Sequence, residues 1–426
     1  LKQRFQNLQN SIMTARPPPP NFSFESGSTL ENFINCPDVN PSGLSRFHPS
    51  VLAVKLIEFL NIKPNKGLYP YIIASGVRHH PDNWTTPRGK DNLFNWLIPK
   101  YLKDVQEGKA MILLDQCLEG YHTPYLWQWF HDSCRTYNIP PQAIVYVTGN
   151  CTTEENYDSW CIANNIVDRI KTIPYTNFEH YVKFLVDKSK LYQSWSINLQ
   201  YKKTNEIKTY NCLQKRLRTH RIWFYGELYN AGLLDCGLVS MNDYGTHVNH
   251  MDSIPPNMLL LEEARSVLPL EVYGKSNVQY DDSFYIDRIL TEVFLDTWVS
   301  VVSEPIFADS DQAVFISEKT FKPIACMHPF IILGGRGSLV ALRKLGYKTF
   351  EGFIDETYDT LSTFERIDAI IKELKRIDAI EDKLSWFAGM KDIIEHNYKV
   401  FHNSIQHQST PSVELVKYYR EYFNVY

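Results

Sequence analysis

The 426-residue chain predicts an α/β protein of two Rossmann-like domains facing a cleft, with a helical C-terminus. Three observations carry this. Between about residues 50 and 190, short aliphatic runs alternate with helix-length amphipathic stretches, the pattern of βαβ units and a parallel sheet. The polar stretch Ser189–Lys208 interrupts the alternation, which then resumes. Beyond residue 363 only helical patterns remain.

In chain order, residues 1–45 read as an arm lying on the surface, with Pro17–Pro20 as a stiff polyproline spacer. Residues 46–200 read as a first domain. Ser50 caps a helix carrying Val51, Val54, Leu56, Ile57 and Leu60. Strands are expected at Leu68–Ala74, Ala110–Leu114, Ala143–Val147 and Ile170–Pro174, and helices at Asn92–Val105, Pro124–Tyr137, Thr153–Asn164 and Phe178–Lys188. The second domain, 201–395, has strands at Thr209–Leu213, Leu238–Ser240, Trp298–Ser303 and Pro329–Leu333. Its helices fall at Thr219–Leu234, Ile286–Asp296, Ser338–Leu345, 363–377 and 381–402. Residues 396–426 form the C-terminal helical segment, with a helix over 411–423.

Hydrophobic residues at 44% and charged residues at 22% are those of a globular protein. A formal net charge of −4 argues against a broad nucleic-acid surface and leaves room only for a local patch. The aromatic share of 14% suits flat ligands or glycans as well as an aromatic core. No run reaches the ~18 apolar residues of a membrane span, and no secretory leader pattern is visible. The eight cysteines contain no C-x-x-C pair and read as free thiols of a reducing compartment, hence cytoplasmic. The sequons at Asn21, Asn83 and Asn150 carry no weight.

Two stretches carry cationic chemistry. Lys202, Lys203, Lys208, Lys215, Arg216, Arg218 and Arg221 are opposed only by Glu206, and the last of them follow a strand and open a helix. Strand ends and helix N-termini are where phosphates bind, and arginine adds bidentate, charge-assisted hydrogen bonds. A solvated basic turn is the plain alternative. In the second stretch, Phe315–Pro323, Ser317 caps a helix with Glu318 in its first turn. Lys319 and Lys322 share one face. Two ammonium groups side by side call for an anion between them, which suits a diphosphate, with Glu318 accepting from ribose or sugar hydroxyls. Pro323 predicts a kink or a new helix start.

Gly334-Gly335-Arg336-Gly337-Ser338 joins a strand to a helix but is neither G-x-G-x-x-G nor a P-loop. Its amides, Gly335 among them, would line a phosphate or sugar pocket. In the first domain, Glu119 and then Asp115 follow the strand Ala110–Leu114 and are candidate general bases. Arg78, His79 and His80 form a further polar patch. Asp309-Ser310-Asp311 reads as a turn, and His247 with His250 as coincidental metal spacing, so no metal is expected.

Tyr210…Arg221, Glu304, Phe315–Lys322 and Pro329–Gly334 together resemble the C-terminal half of α-1,3-fucosyltransferases, enzymes of the two-Rossmann GT-B arrangement that use GDP-fucose. The resemblance covers roughly residues 209–375. It implies that Phe315 stacks on the base, Glu318 contacts ribose or sugar, Lys319 contacts the diphosphate, and an arginine of the 216–221 group binds phosphate. It also matches Asp355 and Glu356, after Phe353-Ile354, to an acidic strand end, and implies an N-terminal-domain glutamate as base. Arg218-x-His220-Arg221 and Ser317–Ile324 likewise look like uncharacterised proteins of bacteriophages and marine microbes, which would place the chain in a host cytoplasm. Glu304 is followed by Pro305 where the family has Glu-Asn-Ser, a departure that bears on the sugar.

The expectation is a metal-independent, inverting glycosyltransferase. It moves a sugar from a nucleotide sugar, GDP-sugar favoured and UDP-sugar open, to a glycan or other hydroxyl acceptor. Two alternatives stand beside it: a non-catalytic binding or structural module of the same fold, and a transferase acting on modified bases in DNA.

Overall fold

The computed structural model describes residues 33–35, 47–48, 71–77, 99–120, 122, 125–214, 218–241, 270, 272, 289–307, 313–403 and 410–423. The chain divides into two compact units, one of residues 1–177 with 406–426 and one of residues 178–405.

The first unit holds a sheet of six strands: β1 (Phe33–Asn35), β2 (Phe47–His48), β3 (Tyr71–Val77), β4 (Ala110–Gln116), β5 (Ile144–Thr148) and β6 (Lys171–Pro174). Strands β1-β3-β4-β5-β6 pair in that order, all parallel, and β2 joins β3 antiparallel. Residues 33–35, expected in a surface arm, thus form an edge strand. Every residue of β4 is buried, including Asp115 and Gln116. A central parallel strand covered on both faces has that property.

Alternate residues face opposite ways. Ala110, Ile112, Leu114, Ile144 and Tyr146 pack with Trp127, Phe130 and Tyr157 of α2 (Leu126–Tyr137) and α3 (Thr153–Ala163). The same core takes Tyr101 and Val105 of α1 (Pro99–Gln106). Met111, Leu113, Val145, Val147 and Ile173 line the other face with Leu415 and Tyr419. Those two belong to α13 (Thr410–Phe423), so the last helix of the chain completes the core of the first unit.

The second unit contains β7 (Lys208–Leu213), β8 (Gly237–Ser240), β9 (Thr297–Ser303) and β10 (Phe330–Leu333), in the all-parallel order β10-β9-β7-β8. Its helices are α4 (Asn177–Ser189), α5 (Trp195–Thr204), α6 (Thr219–Asn230), α7 (Thr291–Leu295), α8 (Glu318–Ala325), α9 (Ser338–Lys344), α10 (Thr363–Asp378), α11 (Lys383–Gly389) and α12 (Lys391–Asn403). The first, α4, starts at Asn177, the residue before the second unit begins in the sequence. The expected two α/β domains with parallel sheets are therefore present, and no helix among the described residues is long and apolar enough to cross a membrane.

Three local readings change. The expected connection Ser189–Lys208 contains α5, whose buried face includes Trp195, Asn198 and Lys202. Its polarity hid it, because two of those three buried side chains are polar. The single helix expected over 381–402 is two, α11 and α12, broken at Met390. Helix α8 runs through Pro323 without a new start and ends two residues later at Ala325. By contrast α10 starts where its sequence says, with Ser362 and Glu365 forming a reciprocal capping box. The helix expected over residues 51–60 lies outside the described residues.

Candidate functional site

Strand order selects the place to look. From β7 the chain moves to β8 on one side, and the later strands β9 and β10 lie on the other. Neighbouring strands β7 and β9 are therefore a topological switch point, and ligands of open parallel sheets bind outside the carboxyl ends there. The residues that follow those two ends are Gln214–Arg221 and Glu304, both within the stretches singled out from sequence.

Arg218 is the N-cap residue of α6, and its Nη1 donates to the Pro305 carbonyl at 3.0 Å. Arg221, one turn on, is 3% exposed. Its Nε donates to Ser303 Oγ at 3.2 Å and its Nη2 to the Ser303 carbonyl at 2.9 Å, tying α6 to the end of β9. Burial and then Arg218 push Arg221 down to about 10, while Glu304 and Glu318 push it back. His220 Nε2–H donates to the Glu304 carbonyl at 3.1 Å, and its ring stacks on Phe307 with centroids 5.0 Å apart.

Glu304 is the hub. Its Oε1 accepts from Ser317 N at 3.1 Å and from Thr320 Oγ1 at 2.6 Å. Its carboxyl is pushed up by burial and drawn back by Lys319. On α8, Ser317 is an extended N-cap whose Oγ accepts from Lys319 N at 3.3 Å. Lys319 Nζ reaches Glu318 Oε1 at 2.5 Å. Burial works against the Glu318 charge, yet Lys319 and Lys322 hold its carboxyl down at about 2.

The paired lysines do not wait on a ligand for all of their counter-charge. The anion that their spacing calls for is supplied in part by the chain itself, as Glu318. That residue is 7% exposed, and its carboxylate is bonded to Lys319. Phe315 is 4% exposed and meets Phe178 edge-on at 5.7 Å. Burial of the ring against Phe178 removes apolar surface from water. Asp355 and Glu356, matched to an acidic strand end, have local work: Asp355 caps the turn at Thr357, and Glu356 accepts from Phe350 N and binds Arg343.

The β10–α9 turn closes the site from a third side. A Cβ on Gly335 would stand 2.6 Å from the Ala313 carbonyl oxygen, and one on Gly334 would stand 3.3 Å from Glu304 Cβ. Gly337, with φ +84°, is the N-cap residue of α9, a conformation glycine adopts without cost. Gly335→Ala is therefore expected to destabilise the protein by about 1–3 kcal/mol through overpacking against backbone. Urea unfolding of the two proteins measures it, and an unchanged midpoint would contradict the contact.

Arg366 was missed from sequence. It is 1% exposed, donates to the Gly334 carbonyl at 2.6 Å and to the Leu361 carbonyl at 2.8 Å, and lies 4.9 Å above the Phe307 ring. A signal existed: it sits four and eight residues before the buried Ile370 and Leu374, on the apolar face of α10. Thr320 and Ser303 were missed because hydroxyls carry no charge pattern.

In the first unit, Asp115 is 3% exposed, and its Oδ1 accepts from Cys117 N at 3.0 Å. Glu119 is half-buried in the turn after β4, and its carbonyl accepts from Gly149 N at 2.8 Å and from Thr148 Oγ1 at 3.1 Å. Arg216, Arg78, His79, His80, His247, His250, Asp309 and Asp311 lie outside the described residues.

No protein-family model matches the chain, and no curated protein does. Among solved structures it is similar to an α,α-trehalose-phosphate synthase (UDP-forming) from Burkholderia vietnamiensis. That match has 10% identity over 70% of this chain and 69% of the other, with a TM-score of 0.37. A trehalose 6-phosphate synthase from Burkholderia multivorans matches at 11% identity over 82% and 72%, with a TM-score of 0.38. The catalytic domain of starch synthase IV from Arabidopsis thaliana, bound to ADP and acarbose, matches at 10% identity over 88% and 76%, with a TM-score of 0.34. The two α/β units stand on the chain's own strand order and register, independently of these likenesses.

Proposed function

We propose that the chain is a glycosyltransferase whose second unit binds a nucleoside diphosphate sugar. The observation that supports this reading is the clustering of Arg218, Arg221, Lys319 and Lys322 around one switch point, with the carboxylates of Glu304 and Glu318 under their influence. The cations from the two stretches are electrostatically joined through Glu304, which acts on Arg221 and is acted on by Lys319. Fixed cations that neutralise a departing diphosphate stabilise charge as it develops, without reorganisation at the moment of reaction. The sequence resemblance favours guanine as the base.

In this reading the first unit supplies the general base that deprotonates the acceptor hydroxyl, and the sugar is displaced directly with inversion. Glu119 is preferred over Asp115. Glu119 is a partly exposed residue just after β4, whereas Asp115 is buried and its carboxylate holds Cys117 N. Glu119→Gln is expected to lower kcat by about 10²–10⁴-fold with donor affinity unchanged. Turnover assays with a sugar-acceptor panel check this, and a wild-type rate in the variant would remove Glu119 from the role.

The decisive test is calorimetry of the full chain with GDP-, UDP- and ADP-sugars, followed by donor hydrolysis. Binding of at least one donor is expected. No binding of any of them would defeat the reading.

A further inference from the structure

This inference rests on the diphosphate reading and concerns one atom at its centre. Glu304 is 0% exposed and stands at the carboxyl end of β9, between α6, α8 and the β10–α9 turn. Its Oε1 is committed to Ser317 N and Thr320 Oγ1. Its Oε2 has no hydrogen-bond partner among the described residues. A bare buried carboxylate oxygen is costly, and native structures keep one where a proton, a water or a ligand completes it.

We propose that Glu304 binds the donor in its acid form: as the diphosphate arrives, Oε2 takes a proton from solvent and donates it in a hydrogen bond to a diphosphate oxygen. The O–H bond forms on Oε2, no bond to phosphorus is made or broken, and the diphosphate keeps its charge.

The surroundings drive this in one direction. From α6, Arg221 and His220 face the group; from α8, Glu318 and Lys319 do. On the β10 side stands Arg366, bonded to the carbonyl of Gly334, which packs against Glu304. Burial and its neighbouring arginines keep His220 well below its ordinary range, so it adds no positive charge. In the empty site burial favours the neutral acid while Lys319 favours the carboxylate. A bound diphosphate engages Lys319 and Arg221 and brings its own negative charge. Both changes favour the neutral acid. An ionised Oε2 would repel a phosphate oxygen, whereas a protonated one donates to it.

The test uses the full chain and UDP-glucose, ADP-glucose and GDP-fucose, whose doubly esterified diphosphates hold a constant charge near neutrality. Calorimetry in two buffers of different ionisation enthalpy reads the proton count. Uptake is expected to rise toward about one proton per donor as pH increases from the acid to the alkaline side of neutrality, with affinity falling by up to about 10-fold per pH unit. Glu304→Gln keeps both Oε1 hydrogen bonds and presents an N–H where Oε2 stands. It is expected to retain donor binding within about 3-fold at the acid end, without proton uptake, while Glu304→Ala loses about 10-fold or more. Wild-type binding without uptake, or a Gln variant as weak as the Ala variant, overturns the proposal and leaves the diphosphate reading standing. Absence of binding by all three donors to the wild type overturns both. The proton count on the wild type decides the matter even if the Ala variant fails to fold.

Discussion

Lys202→Met is expected to abolish a gain in stability that the wild-type protein acquires as pH rises above 7. Lys202 lies on α5 and is 4% exposed. Its Nζ donates to the carbonyls of Phe294 at 3.1 Å, Leu295 at 3.0 Å and Thr297. The ammonium stands 5.2 Å from the Trp298 ring centre and 5.0 Å from that of Phe387. It caps the C-terminal carbonyls of α7, where positive charge is favoured. Two titratable groups bear on it. Asp296 raises its proton affinity, and buried His328, which shares the Thr297 carbonyl, is held down at about 3 and is neutral.

Burial pushes Lys202 down to about 7 from 10.5. Between those two values the unfolded chain binds more protons than the folded one, so stability rises with pH across that window. Below pH 7 both states are protonated and the full cost of the buried charge is present. A tenfold difference in proton affinity between the two states is worth about 1.4 kcal/mol, so the gain approaches several kcal/mol across the window and is about 1–2 kcal/mol between pH 7 and pH 8.5. Urea unfolding of wild type and Lys202→Met at both pH values reads it as a difference of differences, in which other titrating groups cancel. A gap between the two proteins that stays constant with pH would show that Lys202 is not the source.

Lys319→Ala is expected to weaken binding of a nucleoside diphosphate sugar by about 10–100-fold, the worth of a hydrogen bond to a charged group. The side chain is 29% exposed, so its loss does not open the core. The variant also carries an internal signature. Glu318, held down at about 2 chiefly by Lys319, contributes stability above its ordinary 4.5 that is lost as pH falls toward 2. With Lys319 gone, Lys322 and a backbone hydrogen bond still oppose burial but the largest opposing influence is lost, so the loss begins at higher pH. The variant therefore unfolds at less acid pH than wild type while keeping its neutral-pH fold. Donor affinity by calorimetry and acid unfolding by circular dichroism check the two halves. Unchanged affinity would remove Lys319 from the diphosphate site even if the acid shift appears.

Much of the fold was legible because it rests on periodicity. β4, β5, β7, β9 and β10 are runs of aliphatic residues short enough to be strands, and their expected limits are met within one or two residues. Helices whose ends carry local chemistry, such as α10 with its capping box, were legible for the same reason: the signal lies within a few adjacent residues. So were the two cationic stretches and Glu304, because charge at a strand end stands out in a chain of aliphatic runs. α5 was not, since the face it buries is made of Trp195, Asn198 and Lys202, and a buried amine satisfied by three carbonyls looks like solvent-facing charge in one dimension.

What the residues determined alone was therefore local: most of the strands of the parallel sheets, the helix starts that carry their own caps, and where cations follow strands. What tertiary structure decided was the state of each side chain. It buried the Phe315 ring, bound Glu318 to Lys319, drew Arg366 under the Gly334 carbonyl and left Glu304 Oε2 without a partner among the described residues. The physical reason is that burial and partnership depend on residues distant in the chain. Arg221 and Ser303 are 82 positions apart and meet only because β7 and β9 lie side by side.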